Sequence, residues 1–492
     1  MSAFLGGKMR VLLIGLFLTL MPFGANARVT AVGATNTAHR TRPVFSGSTL
    51  TRAIDHEEQI SLKLMLKNIS RPGTAIGSVV ASPSKSNPNY YYNWTRDAAL
   101  TMSVIEKLYK QNGPNHAVWG KLLKDYVQFS RRNQLTPNLS GAADGNGLGE
   151  PKFNVDGSAF TGDWGRPQND GPALRAITLI AFAHDLIREG QLQYVHKWLY
   201  DGEFPSHSVI KLDLEYVAHH WSNSCFDLWE EITGHHFFTL MVSRRAMIEG
   251  AQLAHELSDP GAAKYYQQQA DAITLYLQKF WSPQQGFLRE TIGGGDGRSS
   301  LDSAVILGVL HGATPDHFMA ANSDWVMATA ARLIKVFSRL YRINRMHPNL
   351  GPAIGRYPED IYNGVSTSRG NPWFLTTLAM AQYCFTVRNE YAKSKTIEVT
   401  KLDAPFLQLA LNASGLKGVA LHYGRANTQL YNALQLGLTR LGDNFFNTVL
   451  QYAGENGALS EEFNRDTGVM QGARNLTWSF AAFITATWAR TK

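Results

Sequence analysis

Helical periodicity without strand alternation is the feature that most limits the folds open to this chain. Many segments repeat apolar residues every three or four positions, whereas runs that alternate apolar and polar residues are nearly absent. The predicted helices cover 56–69, 96–110, 118–132, 171–189, 208–220, 236–257, 260–280, 324–341, 372–391, 425–440, 443–453 and 475–490. This pattern predicts an all-α protein.

The helix predicted at 171–189 has the clearest signals at both ends. Asp170 is a plausible N-cap, Pro172 falls in the first turn, and Gly190 follows the last turn. Its predicted apolar stripe consists of Leu174, Ile177, Ile180, Ala181 and Ile187. We therefore expect one face of this helix to be buried.

Long loops rich in Gly, Pro, Asn and aromatic residues separate the predicted helices, notably at 77–94, 138–170 and 350–372. Helical hairpins arranged as a toroid would present such loops at one face, and an irregular multi-helical bundle would give the same sequence pattern. No linker-rich boundary follows residue 50, so we expect one domain over 55–492 after a flexible segment at 28–54.

The first 27 residues read as a cleavable export signal. Lys8 and Arg10 precede an apolar run at 11–23, and Ala25-Asn26-Ala27 is a small-residue cleavage site. The apolar run is too short to span a bilayer. We therefore predict a secreted or periplasmic protein that has no membrane association once the signal is removed.

Composition and charge narrow the class of protein further. With 44% hydrophobic and 17% charged residues the chain can bury a large core. The net charge of +8 is spread along the chain rather than concentrated in a basic run, which argues against nucleic-acid binding.

The cysteine count excludes a disulfide framework. Only Cys225 and Cys384 are present, and an exported chain could pair them. Cys225 lies next to aromatic and acidic residues, but no recognisable histidine signature would activate it as a nucleophile.

Two acidic clusters with aromatic neighbours suggest hydrolytic chemistry. Glu230 and Glu231 follow Trp229, and Glu461 and Glu462 lie far downstream. Glycoside hydrolysis needs two such groups, one acid that protonates the leaving oxygen and one carboxylate that activates water or attacks the sugar. The alternative is that each pair lies on a solvated helix face.

Five segments dense in aromatic, acidic and Arg residues narrow this hypothesis. They are 90–97 (YYYNWTRD), 147–154 continuing to 164–172, 226–231 (FDLWEE), 355–360 with 371–374, and 460–478. Together they closely resemble the glucoamylases of glycoside hydrolase family 15, over about residue 60 to the C-terminus, with looser similarity at 282–350 and 391–440. The resemblance implies an (α/α)6 barrel and inverting, exo-acting release of β-D-glucose from α-1,4-glucans.

The resemblance also implies the catalytic pair. Glu230 matches the general acid of the family and Glu461 its general base. Desolvation by Trp229 and repulsion from Glu231 would favour a protonated carboxyl at position 230. The base must stay ionised, so we expect Glu461 to lie in a more polar setting.

The remaining matched positions are substrate-binding residues. By resemblance Arg96 and Asp97 hold the terminal glucose, and Arg356 and Glu231 bind hydroxyls near the next sugar. Supporting acids and aromatic walls complete this set, namely Asp227, Asp360, Tyr90, Trp94, Trp164 and Trp478. For isolated residues of these types, core packing or a surface ion pair would be the usual interpretation.

Three departures from the family pattern affect specificity. Glu462 stands where the family often has Gln, 365–369 are inserted near the expected pocket rim, and no starch-binding module follows.

The resemblance implies an α-glucan or maltooligosaccharide substrate, no metal or cofactor, and a monomer. Adjacent histidines at 219–220 and 235–236 lack a third ligand at a recognisable spacing. A trehalase, a glucodextranase and a non-catalytic glucan-binding barrel are the alternatives.

Overall fold

The computed structural model describes residues 44–142, 145–203, 205–294 and 297–492. Its α-helices are α1 Gly47–Leu66, α2 Thr95–Lys110, α3 His116–Leu135, α4 Asp170–Arg188, α5 Leu192–Tyr194, α6 Val209–His220, α7 Phe237–Glu256, α8 Pro260–Leu277, α9 Ala304–His311, α10 Asp324–Leu340, α11 Arg342–Met346, α12 Phe374–Ser394, α13 Ala404–Ser414, α14 Thr428–Tyr452 and α15 Thr477–Thr491. None of the helices in these ranges is both long and apolar enough to cross a membrane. The predicted export signal, 1–27, and residues 28–43 lie outside the described residues.

Short strands occur only in the segments between helices. They are β1 Asn93–Trp94, β2 Lys152–Phe153, β3 Cys225–Phe226, β4 Thr233–His236, β5 Trp281–Ser282, β6 Phe287–Leu288, β7 Thr291–Ile292, β8 Glu398–Val399, β9 Gly424–Arg425, β10 Glu462–Phe463 and β11 Met470–Gln471. All their pairings are antiparallel, and β3, β4 and β7 form a three-stranded sheet. These strands brace loops and do not form a layer of their own.

Six helices form a closed inner ring. Helices α2, α4, α7, α9, α12 and α15 each pack against the next in that order, and α15 packs against α2. They are buried around most of their circumference, so that in α4 every residue from Asp170 to Ile180 is buried. The predicted stripe on this helix is therefore only part of its buried surface, and Ala181 and Ile187 are in fact half-buried.

An outer layer of helices covers the ring. Helices α1, α3, α6, α8, α10 and α14 pack against α15, α2, α4, α7, α9 and α12 respectively. These outer helices are amphipathic, as in α10, where Leu333 and Phe337 are buried while Arg332 and Lys335 are exposed. The two concentric layers of six confirm the predicted (α/α)6 barrel and exclude the irregular bundle.

The helical part of the chain begins earlier than predicted. Helix α1 starts at Gly47, so residues 47–54 are helical although they were assigned to the flexible segment. Leu50 and Ile54 are buried, and the helix packs against α15 and α14. The few apolar residues of its first turns are too sparse to show periodicity without this partner surface.

Other helix predictions differ in extent. The segments predicted at 425–440 and 443–453 form one helix, α14, which passes through Gly442. A Cβ there would lie 2.5 Å from the Phe385 ring, so the glycine allows close packing and does not end the helix. Helix α9 was missed because a short segment that is apolar up to its final histidine has no period, and α13 was missed as well. Asp170 is the first helical residue, and Asn169 is the N-cap.

We expect Gly437→Ala to destabilise the barrel where α14 crosses α13. A Cβ at this position would lie 1.9 Å from the Ala410 carbonyl oxygen, so the two backbones must separate, at a cost of about 1–3 kcal/mol or more. Gly113→Ala is the matched control, because no atom lies within 4 Å of its new Cβ. Urea unfolding followed by circular dichroism should give a lower midpoint for Gly437→Ala alone. Equal midpoints would contradict the close contact.

Candidate active site

The first residues of the inner helices meet at one end of the ring. Trp94 and Trp373 are the N-caps of α2 and α12, and Trp478 lies in the first turn of α15. Asp170 begins α4, and Asp302 immediately precedes the N-cap of α9. All five lie at or next to one cavity, so the loops that precede the inner helices converge there.

A cavity of about 200 Å³ lies at this end of the barrel. Its lining residues are Ala81, Tyr90, Trp94, Arg96, Asp97, Trp164, Leu228, Trp229, Glu230, Glu231, Arg356, Tyr362, Trp373, Glu461, Leu476 and Trp478. Of the site residues predicted from sequence, all except Asp227 and Asp360 line it. The structure therefore brings together segments that are more than 300 residues apart in the chain.

The carboxyl group of Glu230 is held by four nitrogen donors. Trp94 Nε1 and Gln168 Nε2 donate to Oε1 at 2.7 and 3.1 Å, and Arg96 Nη2 lies 3.3 Å from the same atom. Trp164 Nε1 donates to Oε2 at 2.9 Å. The indoles that surround this carboxyl are thus those of Trp94 and Trp164.

The prediction that Trp229 and Glu231 surround the Glu230 carboxyl was wrong. Trp229 Nε1 donates to the Asp302 carboxylate at 3.0 and 3.1 Å instead of facing Glu230. Glu231 also turns away, toward Arg356. Adjacent residues in a tight turn point in different directions, which a linear sequence does not reveal.

Asp227 holds the loop that carries Glu230. Its Oδ1 accepts the backbone N–H groups of Glu231 and Ile232 at 2.7 and 3.0 Å, and its carbonyl accepts that of Glu230 at 2.9 Å. Glu230 itself adopts φ = +67°, a conformation that costs a non-glycine residue about 1 kcal/mol or more and recurs at functional sites. Asp227 therefore acts on the loop and not on the cavity.

Arg356 is fixed between two carboxylates. Its Nη2 lies 2.7 Å from Glu231 Oε1, and its Nε and Nη2 donate to Asp360 at 2.8 and 2.6 Å. Tyr357 donates to Glu231 Oε2 at 2.6 Å, and Arg298 pairs with the same oxygen. Burial opposes ionisation of Glu231, but the Arg356 charge and the Tyr357 hydroxyl lower its pKa overall. Asp360 thus orients Arg356 from outside the cavity.

Arg96 forms a second charged cluster with Asp97 and Asp170. Its Nη1 donates to Gln168 and Asp170 at 2.8 and 3.0 Å, and its Nε lies 3.6 Å from Asp97 Oδ2. Burial raises the pKa of Asp97 to about 7, although Arg96 opposes this shift. A guanidinium and a carboxyl on one wall can donate to and accept from neighbouring hydroxyls.

Glu461 lies in a less polar setting than predicted. Its side chain is fully buried, and Oε2 accepts from the Ala473 backbone N–H at 3.0 Å and the Tyr362 hydroxyl at 3.3 Å. Within the described part of the chain, Oε1 has no hydrogen-bond partner. Burial raises the pKa of Glu461 to about 7, against the lowering effect of the Ala473 N–H, Arg356 and the nearby Tyr90 and Tyr362 hydroxyls.

Glu462 points away from the cavity. Its Oε2 accepts from Asn371 Nδ2 at 2.8 Å, and the residue is fully buried. Burial and the neighbouring Glu461 charge raise the pKa of Glu462 well above its usual value. It therefore affects the site through its effect on Glu461.

The two cysteines and His236 are buried, as is typical of residues with a structural role. Cys225 and Cys384 are buried and unpaired, and burial raises the pKa of Cys225 to about 12. His236 Nδ1 is within hydrogen-bond distance of the Thr291 hydroxyl, and its Nε2 is within hydrogen-bond distance of the Cys225 carbonyl. No group of three or more His, Cys, Asp or Glu residues in the described ranges is arranged to hold a metal ion.

Sequence analysis overlooked several groups that touch the predicted residues. Gln168 and Tyr357 lie inside segments that were noted, but no role was assigned to them. Tyr362 contacts Glu461, and Arg298 contacts Glu231 and Asp227 from a region of loose similarity. An isolated Arg or Tyr in a loop carries no local signal of such a contact.

Comparison with known proteins identifies the family of this chain. Residues 59–488 match the model of the glycosyl hydrolases family 15. The chain belongs to this family. It is 40% identical over 447 residues to glucoamylase 1 of Rhizopus oryzae, covering 90% of this chain and 71% of that protein, and 38% identical to a glucoamylase of Blastobotrys adeninivorans, covering 89% and 70%.

Solved structures of the family share the fold. The family 15 glucoamylase of Hypocrea jecorina has a TM-score of 0.82 at 33% identity, with 90% of this chain and 72% of that chain covered. A glucoamylase of Saccharomycopsis fibuligera has a TM-score of 0.81 at 33% identity, with 92% and 99% covered. The likeness to these relatives thus extends over most of the chain.

We expect this family 15 protein to lose stability as the pH rises from about 4.5 to about 7.5. Burial raises the pKa of Asp97, Asp302 and Glu461 to about 7, so the folded state holds protons that the unfolded state releases near pH 4 to 5. The free energy of unfolding therefore falls across this window. Carboxyls with a lowered pKa, such as Glu231, change the free energy of unfolding only at pH values below this window.

Calorimetry across this range should record a Tm that decreases with pH. Glu462→Gln removes one buried carboxyl with a raised pKa, so its Tm should depend less steeply on pH than that of the wild type. A Tm that rises between pH 4.5 and 7.5 would contradict this prediction and show that buried histidines dominate, such as His311, whose pKa burial lowers to about 3.

Proposed function

We propose that this family 15 enzyme is a glucoamylase that removes β-D-glucose from the non-reducing ends of α-1,4-linked glucans. The observation that carries the proposal is the cavity lined by Glu230 and Glu461 together with Arg96, Asp97 and Arg356. Two carboxyls on one small cavity are the minimum for acid and base catalysis of glycoside hydrolysis. The glucoamylase relatives support the substrate class.

Glu230 is proposed as the general acid. Three of its donors contact Oε1, whereas among the residues that the structure describes only Trp164 donates to Oε2. Oε2 therefore has the capacity left to carry the proton and deliver it to the glycosidic oxygen. The donors also stabilise the carboxylate that remains after the proton has left.

Glu461 is proposed as the general base. Tyr362 and the Ala473 N–H hold Oε2, which leaves Oε1 to accept a proton from the attacking water. These two donors stabilise the ionised form that a base needs, against the burial that raises the pKa of Glu461. Inversion at the anomeric carbon requires that acid and base act from opposite faces of the sugar.

The cavity walls support attack on chain ends. A cavity of about 200 Å³ offers room for a terminal sugar. Asp97 and Arg96 offer an acceptor and a donor to free terminal hydroxyls, which a continuing chain lacks. Tyr90, Trp94 and Trp478 provide apolar surface for the faces of sugar rings.

We also propose that the enzyme acts outside the cytoplasm as a monomer. Residues 1–27 have the composition of a cleavable export signal, and starch and glycogen fragments in the surroundings would then be accessible to it. Detection of the mature N-terminus at Arg28 in the exported protein would support this assignment, whereas retention of 1–27 would contradict it.

Hydrolysis of maltotriose should first release β-glucose. Water attack on the face opposite the leaving oxygen inverts the α configuration, and the product then equilibrates slowly in solution. Proton NMR of the anomeric signals during the first minutes measures the configuration. Initial rates on isomaltotriose and trehalose serve as controls, and a preference for either would favour the alternative α-glucosidases. Early α-glucose would exclude inversion.

Glu230→Gln should reduce kcat by about 10²–10⁴-fold while maltooligosaccharide binding is retained. The amide keeps the size of the side chain but has no transferable acidic proton. Glu455→Gln makes the same chemical change at an exposed loop position and should have wild-type rates. Glucose release and calorimetric titration measure both quantities. If Glu230→Gln kept activity within about tenfold of wild type, Glu230 could not be the acid.

A further inference from the structure

Lys152 is buried in a cage of four aromatic rings behind the cavity wall. Its Nζ lies 3.5 Å from the ring centroid of Trp164, 4.1 Å from Phe160, 4.3 Å from Tyr92 and 4.5 Å from Trp94. The residue is only 2% exposed and does not line the cavity. An ammonium group so far from water needs a specific reason to be there.

The charged groups near Lys152 leave Glu230 as its main electrostatic partner. Glu150 and Arg166 are the other two, and they already pair with each other, with Arg166 Nε 3.0 Å from Glu150 Oε2. No carboxylate in the described ranges forms a direct ion pair with Lys152. Burial lowers the pKa of Lys152 to about 8, and the Glu230 charge opposes that shift.

Two rings of the cage are the indoles that hold Glu230. Trp94 and Trp164 donate to the two different oxygens of the Glu230 carboxyl, and their ring centroids are 5.8 Å apart. Trp94 also pairs with Lys152 across the β1–β2 ladder. The lysine, the indoles and the carboxyl therefore form one connected unit.

A cation against the faces of two indoles has two effects on this unit. It fixes the positions of the rings by cation–π attraction, which strengthens when the cation is desolvated. It also draws ring electron density toward the faces, so that the N–H edges become better donors to a carboxylate. Both effects favour the ionised form of Glu230 over the protonated form.

We propose that Lys152 is a positioning residue for the acid Glu230: its caged ammonium group holds Trp94 and Trp164 in place and stabilises the carboxylate that remains after proton transfer. The inference rests on the proposed function, because it assigns Lys152 a role in the same reaction. Lys152 itself contacts neither the substrate nor the reacting atoms.

The first test compares Lys152→Met with Lys152→Arg. Methionine has a similar length but no charge, so we expect kcat on maltotriose to fall about tenfold or more, with KM changed less than about threefold. The alkaline limb of the pH–rate profile should move upward by about half a pH unit or more, because the proton is lost less easily without the cation. Lys152→Arg keeps a charge that stacks on aromatic rings and should retain the wild-type limb.

Three outcomes would overturn the proposal. A folded Lys152→Met variant with wild-type kcat and an unchanged profile would exclude any role. Equal losses of kcat in both variants, with the alkaline limb in place, would reduce Lys152 to a packing residue. If the wild type released no glucose, the proposed function itself would fail, which is a separate result.

A second test needs no Lys152 variant and decides the matter if Lys152→Met does not fold. Coupling between two charges is reciprocal, so loss of the Glu230 carboxylate must make Lys152 easier to deprotonate. With ¹³Cε-labelled lysine, the ring-shifted Lys152 signal should titrate at a pH lower by about 0.3 or more in Glu230→Gln than in the wild type. An unchanged midpoint would overturn the coupling.

Discussion

Closure of the inner helix ring is the constraint on which the active site depends. An outer helix returns the chain between each pair of successive inner helices, so the inner helices run in one direction and their first turns meet at one end. That end carries the partial positive charge of the helix dipoles and the unpaired N–H groups of the first turns. Asp170, the first residue of α4, occupies a first-turn position of this kind.

The two catalytic candidates differ in how the fold surrounds them. Glu230 is gripped by indole, amide and guanidinium donors in a strained turn. Glu461 is buried more deeply, with Tyr362 and a backbone N–H on one oxygen only. The two carboxyls thus differ in their donors and in their burial, although both are glutamates.

Buried charged groups around the cavity are held in place by specific neighbours. Asp360 orients Arg356, Asp227 pins the acid-bearing loop, and Lys152 is held by aromatic rings instead of a carboxylate. Each of these groups is buried, so the position of its partner is specified within narrow limits. This supporting layer holds the cavity residues rigid without occupying the cavity.

The sequence by itself determined the helical class, most inner helices and ten of the sixteen residues that line the cavity, because amphipathic periodicity and long loop motifs are local properties. It did not determine the start of α1, the continuity of α14 through Gly442, or the neighbours of Glu230. Those depend on surfaces from distant parts of the chain. Only the tertiary structure decided that Trp164, and not the adjacent Trp229, contacts the acid, since side-chain direction in a turn follows from packing.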